Sequence, residues 1–441
     1  MDALYDVRIV DGPVAVVCWV LALAGLGTLA VLAARPRKDP WHRAAIICLG
    51  AVVAAAAVTG VVHWLLVDIG NVFPEDLPAE VLVASGFGVL GVVLAVAALI
   101  RIGLARRAWR LRVFAVLSAA AMALLSGQLI NAYFGLNLTV ADLAGVSLSH
   151  IRPLDASLER PARPTAALAA WNRSDVLPAH GELRTAKIPA TSSGFSARPA
   201  YVYLPPAYFA PTRPELPVLL LVPGQPGNPS DWIVGGRLRH KLDRFAADHG
   251  GVAPVAVVVD PNGSPSANTM CMDTKLGRSE SYLVQDVVPW VKEHLSVAAD
   301  ASMWAAGGFS FGGTCSVQLL AKHPELVGSA LGFAAEQEPA LAKDRAKTID
   351  LAFDGDAAAF ESEVPETFFA SRRHDGLLLF LAAGSRDQDF TRQAKVIAGQ
   401  AQASGVEVHE FSADGEGHSW EMIAKAWPSG LDLLARRWGI A

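Results

Sequence analysis

Four long apolar segments occupy most of the first third of the chain and constrain its fold more than any other feature. They cover residues 13–34, 44–67, 81–100 and 113–134, and none contains Asp, Glu, Lys or Arg. A helix of about 20 residues crosses the roughly 30 Å hydrocarbon core of a bilayer, so each segment is long enough to span it. We expect the first segment to be retained as a span rather than cleaved as a signal peptide, because no basic region precedes it and three more spans follow. Residues 1–134 are therefore predicted to form a four-helix transmembrane domain.

The charges between these spans predict how the domain is oriented. The first and third connections are basic, whereas the second connection carries four acidic residues and no basic one. The basic residues are Arg35, Arg37, Lys38 and Arg43 in the first connection and Arg101, Arg106, Arg107, Arg110 and Arg112 in the third. Connections rich in Lys and Arg stay in the cytoplasm. The N-terminus and everything after residue 134 are therefore expected on the outer side of the cytoplasmic membrane.

The sequence pattern changes twice after the last span. Residues 135–180 mix Pro, Ser, Arg and Ala with little periodicity, which predicts an extracytoplasmic linker or a partial cap. From residue 181 to 441, short apolar runs alternate with helix-like segments, which favours a mostly parallel sheet covered by helices on both faces. The predicted strands are 183–188, 200–204, 218–222, 255–259, 302–306, 326–332, 377–381 and 406–411. Eight strands, with the first two as an antiparallel edge hairpin, predict an α/β-hydrolase catalytic domain.

A G-x-S-x-G motif follows the fifth predicted strand. It consists of Gly308, Ser310 and Gly312 with a Phe on either side of the serine, and a helix-like run begins at Cys315. The motif alone is weak in a Gly-rich chain, but the strand before it and the helix after it indicate a nucleophile elbow. Such a turn exposes the serine hydroxyl above the sheet, so Ser310 is the predicted nucleophile.

The remaining triad positions follow in the order acid and then histidine. Asp387 comes directly after the seventh strand and is the predicted acid, with Asp389 as the alternative. His418 lies on a Gly-rich turn after the last strand and is the predicted base, which would take the proton of Ser310 and return it to the leaving group.

Two further features concern the surroundings of Ser310. An oxyanion hole needs two backbone N–H donors; these are predicted at Phe311 and at Gln225, because the next residue, Pro226, has no N–H. Cys271 and Cys315 form either a disulfide, which an extracytoplasmic location permits, or two buried free thiols, and the sequence does not decide between them.

Three stretches carry a resemblance to a known family. Residues 308–313 match its nucleophile elbow, residues 280–291 are similar to its helix before the fifth strand, and residues 417–421 resemble its catalytic-histidine segment. Over residues 180–438 the chain resembles the "Putative esterase" branch of the α/β hydrolases, which includes esterase D-like enzymes, feruloyl esterases and the secreted antigen 85 mycolyltransferases. The resemblance implies the same roles for Ser310, His418, Phe311 and Gln225.

Two departures separate the chain from the mycolyltransferases. Those enzymes take their acid from a glutamate in a later helix, whereas Asp387 occupies the esterase D-like position, and they lack a four-span anchor. The combination looks like membrane-anchored esterases of actinobacterial type.

Together these patterns predict a membrane-anchored serine esterase or acyltransferase at the outer face of the cytoplasmic membrane. An acyl ester or glycolipid of the cell envelope is the expected substrate, the lipid bilayer is the expected partner, and no cofactor or metal is implied. The net charge of −5 gives no signal for nucleic acid. The alternatives are a catalytically silent hydrolase-fold protein that serves membrane interactions and, from the same fold, a serine peptidase.

Overall fold

The computed structural model describes residues 6–34, 41–103, 108–172 and 177–440. The chain divides into two compact units, Met1–Ser147 and Leu148–Ala441. Several of the basic residues used to predict the orientation lie outside the described residues, namely Arg35, Arg37, Lys38, Arg106 and Arg107.

The first unit is a bundle of four long helices. These are α1 (Gly12–Ala34), α2 (Trp41–Trp64), α3 (Ala79–Ile102) and α4 (Trp109–Phe134), and α2 continues into a π-helical turn, Leu65–Ile69. All four are long and apolar enough to cross a membrane, in agreement with the prediction. Two single-turn helices, Val140–Leu143 and Val146–Ser149, follow.

Small residues allow the helices of the bundle to approach one another closely. A Cβ atom at Gly25 of α1 would lie 2.9 Å from the carbonyl oxygen of Ser118 in α4, and one at Gly91 of α3 would lie 2.9 Å from Cβ of Met122. Because lipid provides no hydrophobic drive between helices, such close packing is a principal source of helix association in membranes.

The second unit is built on a nine-stranded sheet. Its strands are β1 (Arg152–Pro153), β2 (Glu182–Ala186), β3 (Ala200–Leu204), β4 (Val218–Val222), β5 (Val255–Val258), β6 (Trp304–Phe309), β7 (Ser329–Phe333), β8 (Leu378–Gly384) and β9 (Glu407–Ala413). The spatial order is β1-β2-β3-β5-β4-β6-β7-β8-β9. β3 runs antiparallel to both β2 and β5, and all other neighbours are parallel. The predicted α/β-hydrolase fold is therefore confirmed, with β1 as an additional edge strand.

Helices cover both faces of this sheet. They are α5 (Leu238–Asp248), α6 (Val288–His294), α7 (Phe311–Lys322), α8 (Arg345–Phe353), α9 (Ala357–Glu361), α10 (Pro365–Ser371), α11 (Gln388–Ser404) and α12 (Trp420–Trp438). Successive residues of β4 point to opposite faces: Leu219 and Leu221 pack with α5 and α12, whereas Leu220 packs with α6 and α7. β4 is buried throughout, which explains why its sequence is a continuous apolar run.

The stretch predicted as a linker is divided between the two units. Residues 135–147 belong to the first unit, and residues after 147 belong to the second. This later part is held by Arg213 of the second unit, which is fully buried and donates hydrogen bonds to the carbonyl oxygens of Ser157, Leu158 and Glu159. A two-residue strand and carbonyl contacts of this kind leave no periodic pattern, so the sequence did not show at which residue this stretch divides.

Candidate active site

The turn between β6 and α7 holds Ser310 in a strained conformation. Its φ is 56° and its ψ is −120°, a region that costs an L-residue about 1–3 kcal/mol. The neighbouring glycines make the turn possible, because a Cβ at Gly308 would collide with the backbone of Gly312, and one at Gly312 with the carbonyl of Val222. The N–H of Ser310 donates to the carbonyl oxygen of Phe333 at 2.8 Å, which fixes the turn to β7. Strain maintained in this way is typical of a nucleophile elbow.

Asp387 and His418 lie in hydrogen-bond contact. The distance between His418 Nδ1 and Asp387 Oδ2 is 3.0 Å, and both side chains are largely buried, with 13% and 12% of their surface exposed. Asp387 follows β8 and caps the N-terminus of α11, where its carboxylate also accepts the N–H of Phe390. A carboxylate on Nδ1 leaves Nε2 as the nitrogen that can accept a proton.

The two loops that carry this pair are fastened to each other by backbone hydrogen bonds. The N–H of Ser385 donates to the carbonyl of Ala413 at 3.0 Å, and the N–H of Arg386 donates to the carbonyl of Glu416 at 2.9 Å. Gly384 is required at this contact, since a Cβ there would overlap the carbonyl oxygen of Glu416. The geometry of the pair is thus set by the ends of two neighbouring strands.

Aromatic rings connect His418 to the serine turn. The ring of Phe309, the residue before Ser310, lies 4.7 Å from the imidazole, and the ring of Phe390 lies 4.4 Å from it. Phe309 also contacts Trp420 at 5.3 Å. The structure therefore brings the predicted base to the predicted nucleophile turn.

The turn after β4 lies beside the serine, as the oxyanion prediction requires. A Cβ at Gly224 would be 3.9 Å from Cβ of Ser310 and 3.4 Å from the carbonyl oxygen of Phe309. Gln225 is the next residue, and its side-chain amide donates to the carbonyl of Ser266 at 3.2 Å. Phe311 opens α7, and the first N–H groups of a helix have no partner within it. Phe311 is thus the residue after the nucleophile, and Gln225 follows the glycine that lies beside it.

Three other predicted residues are Cys271, Cys315 and the alternative acid Asp389. The structure joins Cys271 and Cys315 in a disulfide with a Cα–Cα distance of 5.5 Å, which ties the segment after β5 to α7. Asp389, the alternative acid, is 71% exposed and pairs with Arg392 rather than with a histidine. In the part of the chain that the structure describes, no group of three or more His, Cys, Asp or Glu residues is arranged to hold a metal ion.

Sequence reasoning missed a buried ion pair next to the turn that follows β4. Arg198 contacts Asp260, which has no exposed surface. Asp231 lies nearby, and burial raises its pKa against the opposing effects of a hydrogen bond from Asn228 and the charge of Arg198. The only sequence signal was the position of Asp260 at the end of a buried strand, where functional side chains of parallel sheets collect.

The comparisons with known proteins agree with this architecture. A family model described as "Putative esterase" matches residues 195–430, more than half of the chain, and confirms the resemblance to that branch. A curated relative, an uncharacterized protein of Corynebacterium glutamicum, is 35% identical over 256 residues. The match covers 57% of this chain and 60% of the relative, so the chain spans less than two thirds of that protein's length.

Solved structures are similar at lower identity. A ferulic acid esterase is 18% identical, with a TM-score of 0.49 over 60% of this chain and 99% of the other. An S-formylglutathione hydrolase from Agrobacterium tumefaciens is 16% identical, with a TM-score of 0.48 over 60% of this chain and 98% of the other. Both similarities are distant.

Proposed function

Because the chain belongs to the "Putative esterase" family, we propose that it is a serine esterase or acyltransferase that acts through Ser310, His418 and Asp387. The observation that carries the proposal is the 3.0 Å contact between His418 and Asp387 beside a strained serine turn. A triad is recognised by such geometry rather than by sequence position.

In the proposed reaction, Ser310 attacks the carbonyl carbon of an acyl ester while His418 takes its proton. Asp387 holds the imidazole in the required tautomer and stabilises the imidazolium. The N–H groups of Phe311 and Gln225 bind the oxyanion of the tetrahedral intermediate. The alkoxide leaves with the proton from His418, and water or a sugar hydroxyl then attacks the acyl-enzyme to give either the free acid or a new ester.

The four apolar helices suggest where this chemistry takes place. We propose that they anchor the protein in the cytoplasmic membrane with the catalytic unit outside, facing acyl esters or glycolipids of the cell envelope. A membrane-impermeant thiol reagent tests the orientation in intact cells: Glu75→Cys should be labelled, and Arg110→Cys should be labelled only after lysis. The reverse pattern would place the catalytic unit in the cytoplasm.

Activity is tested on purified, detergent-solubilised protein with p-nitrophenyl esters from acetyl to palmitoyl, with and without trehalose as a sugar acceptor. We expect turnover that is lost in Ser310→Ala and retained in Ser371→Ala, an exposed serine at the end of α10. The preferred chain length would define the acyl pocket. A sugar ester detected by mass spectrometry would identify transfer rather than hydrolysis.

A fluorophosphonate probe distinguishes an enzyme that accepts only its native acyl donor from a catalytically silent domain. Labelling of the wild type that disappears in Ser310→Ala supports the nucleophile even when no simple ester is turned over. Absence of labelling in the wild type would favour a catalytically silent hydrolase fold.

A further inference from the structure

We infer that Arg198 and Asp260 are positioning residues that hold the oxyanion turn, residues 223–228, against the nucleophile. The inference rests on the proposed function, because it assigns a role to these residues through the predicted donor at Gln225. Neither residue belongs to the triad, and neither is close in sequence to Ser310.

Asp260 is a buried carboxylate that accepts hydrogen bonds from Arg198 and from two backbone N–H groups. It accepts the backbone N–H of Arg198 at 2.7 Å, the Nε–H at 2.8 Å and an Nη2–H at 2.6 Å. The N–H groups of Asn262 and Gly263 donate to it at 3.1 and 3.0 Å. A buried charge is tolerated only when it is paired and hydrogen-bonded in this way, so Asp260 fixes the guanidinium of Arg198 in one place.

The remaining arm of the guanidinium reaches the oxyanion turn. Nη1 of Arg198 donates to the side-chain oxygen of Asn228 at 2.5 Å and to the carbonyl oxygen of Gly227 at 3.2 Å. The N–H of Asn228 in turn donates to the carboxylate of Asp231 at 2.7 Å. Arg198 therefore bridges the end of β5 to the turn that follows β4.

The same segment that begins at Asp260 also supports the turn from the other side. The N–H of Gly227 donates to the carbonyl of Pro265 at 2.9 Å, and the side chain of Gln225 donates to the carbonyl of Ser266 at 3.2 Å. A turn without regular secondary structure depends on such contacts for its position. An oxyanion donor contributes to catalysis only when it is placed in advance, so a small displacement of the turn lowers the rate.

The geometry requires arginine rather than a positive charge alone. One planar guanidinium contacts both Asp260 oxygens and the turn at once, whereas a lysine ammonium is a compact charge on a flexible stem. Arg198→Lys keeps the positive charge beside Asp260 but removes the planar guanidinium that contacts Asp260 and the turn at the same time. Asn228→Ala keeps the whole buried pair and removes the side-chain oxygen that accepts from Arg198 and takes part in capping the turn Pro229–Trp232.

The experiment measures kcat and KM on the best p-nitrophenyl ester, together with inhibition by an alkyl trifluoromethyl ketone, whose hemiketal oxygen occupies the oxyanion hole. In Arg198→Lys we expect kcat to fall about 10- to 100-fold with KM within about threefold, a smaller loss than the 10²–10³-fold cost of removing a donor outright. Inhibitor affinity should fall by a similar factor. Asn228→Ala should show the same pattern with a smaller loss of thermal stability.

Arg160→Lys is the matched control, because Arg160 pairs with Glu215 and with the carbonyl of Lys292 in the same unit. It should leave kcat and inhibitor affinity unchanged. If Arg198→Lys and Asn228→Ala both keep kcat and inhibitor affinity within twofold of a reactive wild type, the positioning role is wrong and the esterase proposal stands. A wild type that neither turns over esters nor reacts with the fluorophosphonate overturns both.

Discussion

Asp387 Oδ2 lies 3.0 Å from His418 Nδ1, and this contact distinguishes the two aspartates that follow β8. Asp389 is only two residues further along, but it is on the exposed side of α11 and pairs with Arg392. Because Asp387 caps that helix, its carboxylate is held at the helix N-terminus, where a negative charge is favoured. The structure thus supports Asp387 over Asp389 as the residue that orients the imidazole.

Replacing Asp387 by Asn should reduce kcat by about 10³–10⁴-fold, because an amide at this position favours the wrong histidine tautomer. The same substitution at Asp389 should leave kcat within about threefold. Steady-state kinetics on the best ester would test both variants. Equal losses in the two, or a loss confined to Asp389→Asn, would show that the acid was assigned to the wrong residue.

Two glycines of the chain should respond in opposite ways to the same substitution. Gly312→Ala places a methyl group against the carbonyl of Val222 at the elbow, so the turn must open or the protein must fail to fold. Gly399 lies exposed in α11 with no heavy atom near its Cβ position, so Gly399→Ala should stabilise the protein by about 0.5–1 kcal/mol. Chemical denaturation and fluorophosphonate labelling measure both. Unchanged labelling of Gly312→Ala would contradict the tight turn.

The site residues that the sequence could predict are those whose signal is local. Ser310 was predicted because a tight strand-to-helix turn requires glycines at fixed offsets. Asp387 and His418 follow neighbouring parallel strands, β8 and β9, so the order of strands brings them to the same edge of the sheet.

The features that were missed depend on pairs distant in sequence. Arg198 and Asp260 are 62 residues apart, and the sequence around each of them does not indicate that they form a pair. The strand Arg152–Pro153 is too short for an alternating pattern, and Arg213 binds carbonyl groups, which every residue provides. Tertiary contacts of this kind become visible only when the chain is folded.

Removing the disulfide should destabilise the catalytic unit. Cys271 and Cys315 are separated by 44 residues, and closing a loop of this length in the unfolded chain is worth roughly 2–4 kcal/mol. The Cys271→Ser/Cys315→Ser double variant should lose about that much unfolding free energy, measured by denaturant titration. Dithiothreitol, added under denaturing conditions, should lower the unfolding free energy of the wild type towards that of the double variant. It should leave the unfolding free energy of the double variant unchanged. Alkylation and mass spectrometry that find both thiols free in the native protein would reject the bridge.

Lys241 provides a prediction about pH. Its ammonium is buried without a hydrogen-bond acceptor among the described residues and lies 5.6 Å from the ring of Trp427. Burial lowers its pKa from 10.5 to about 8, with the charge of Glu421 opposing the shift. Below pH 8 the lysine is charged in both the folded and unfolded states, so the cost of burying the charge is fully present. Between pH 8 and 10.5 the unfolded chain binds more protons than the folded one, so this cost declines and stability rises with pH.

Lys241→Met should therefore be more stable than the wild type at pH 7, by roughly 1–2 kcal/mol once the lost contact with Trp427 is deducted. The difference in unfolding free energy should shrink as the pH rises from 8 to 10.5. Denaturant titrations of both proteins at several pH values measure it, and Lys395→Met, at an exposed position on α11, is the control that should show little difference at any pH. A Lys241→Met difference that stays constant from pH 7 to 10.5 would mean that the ammonium reaches water in the folded protein, since an accessible lysine has the same pKa in the folded and unfolded states and adds no pH dependence to stability.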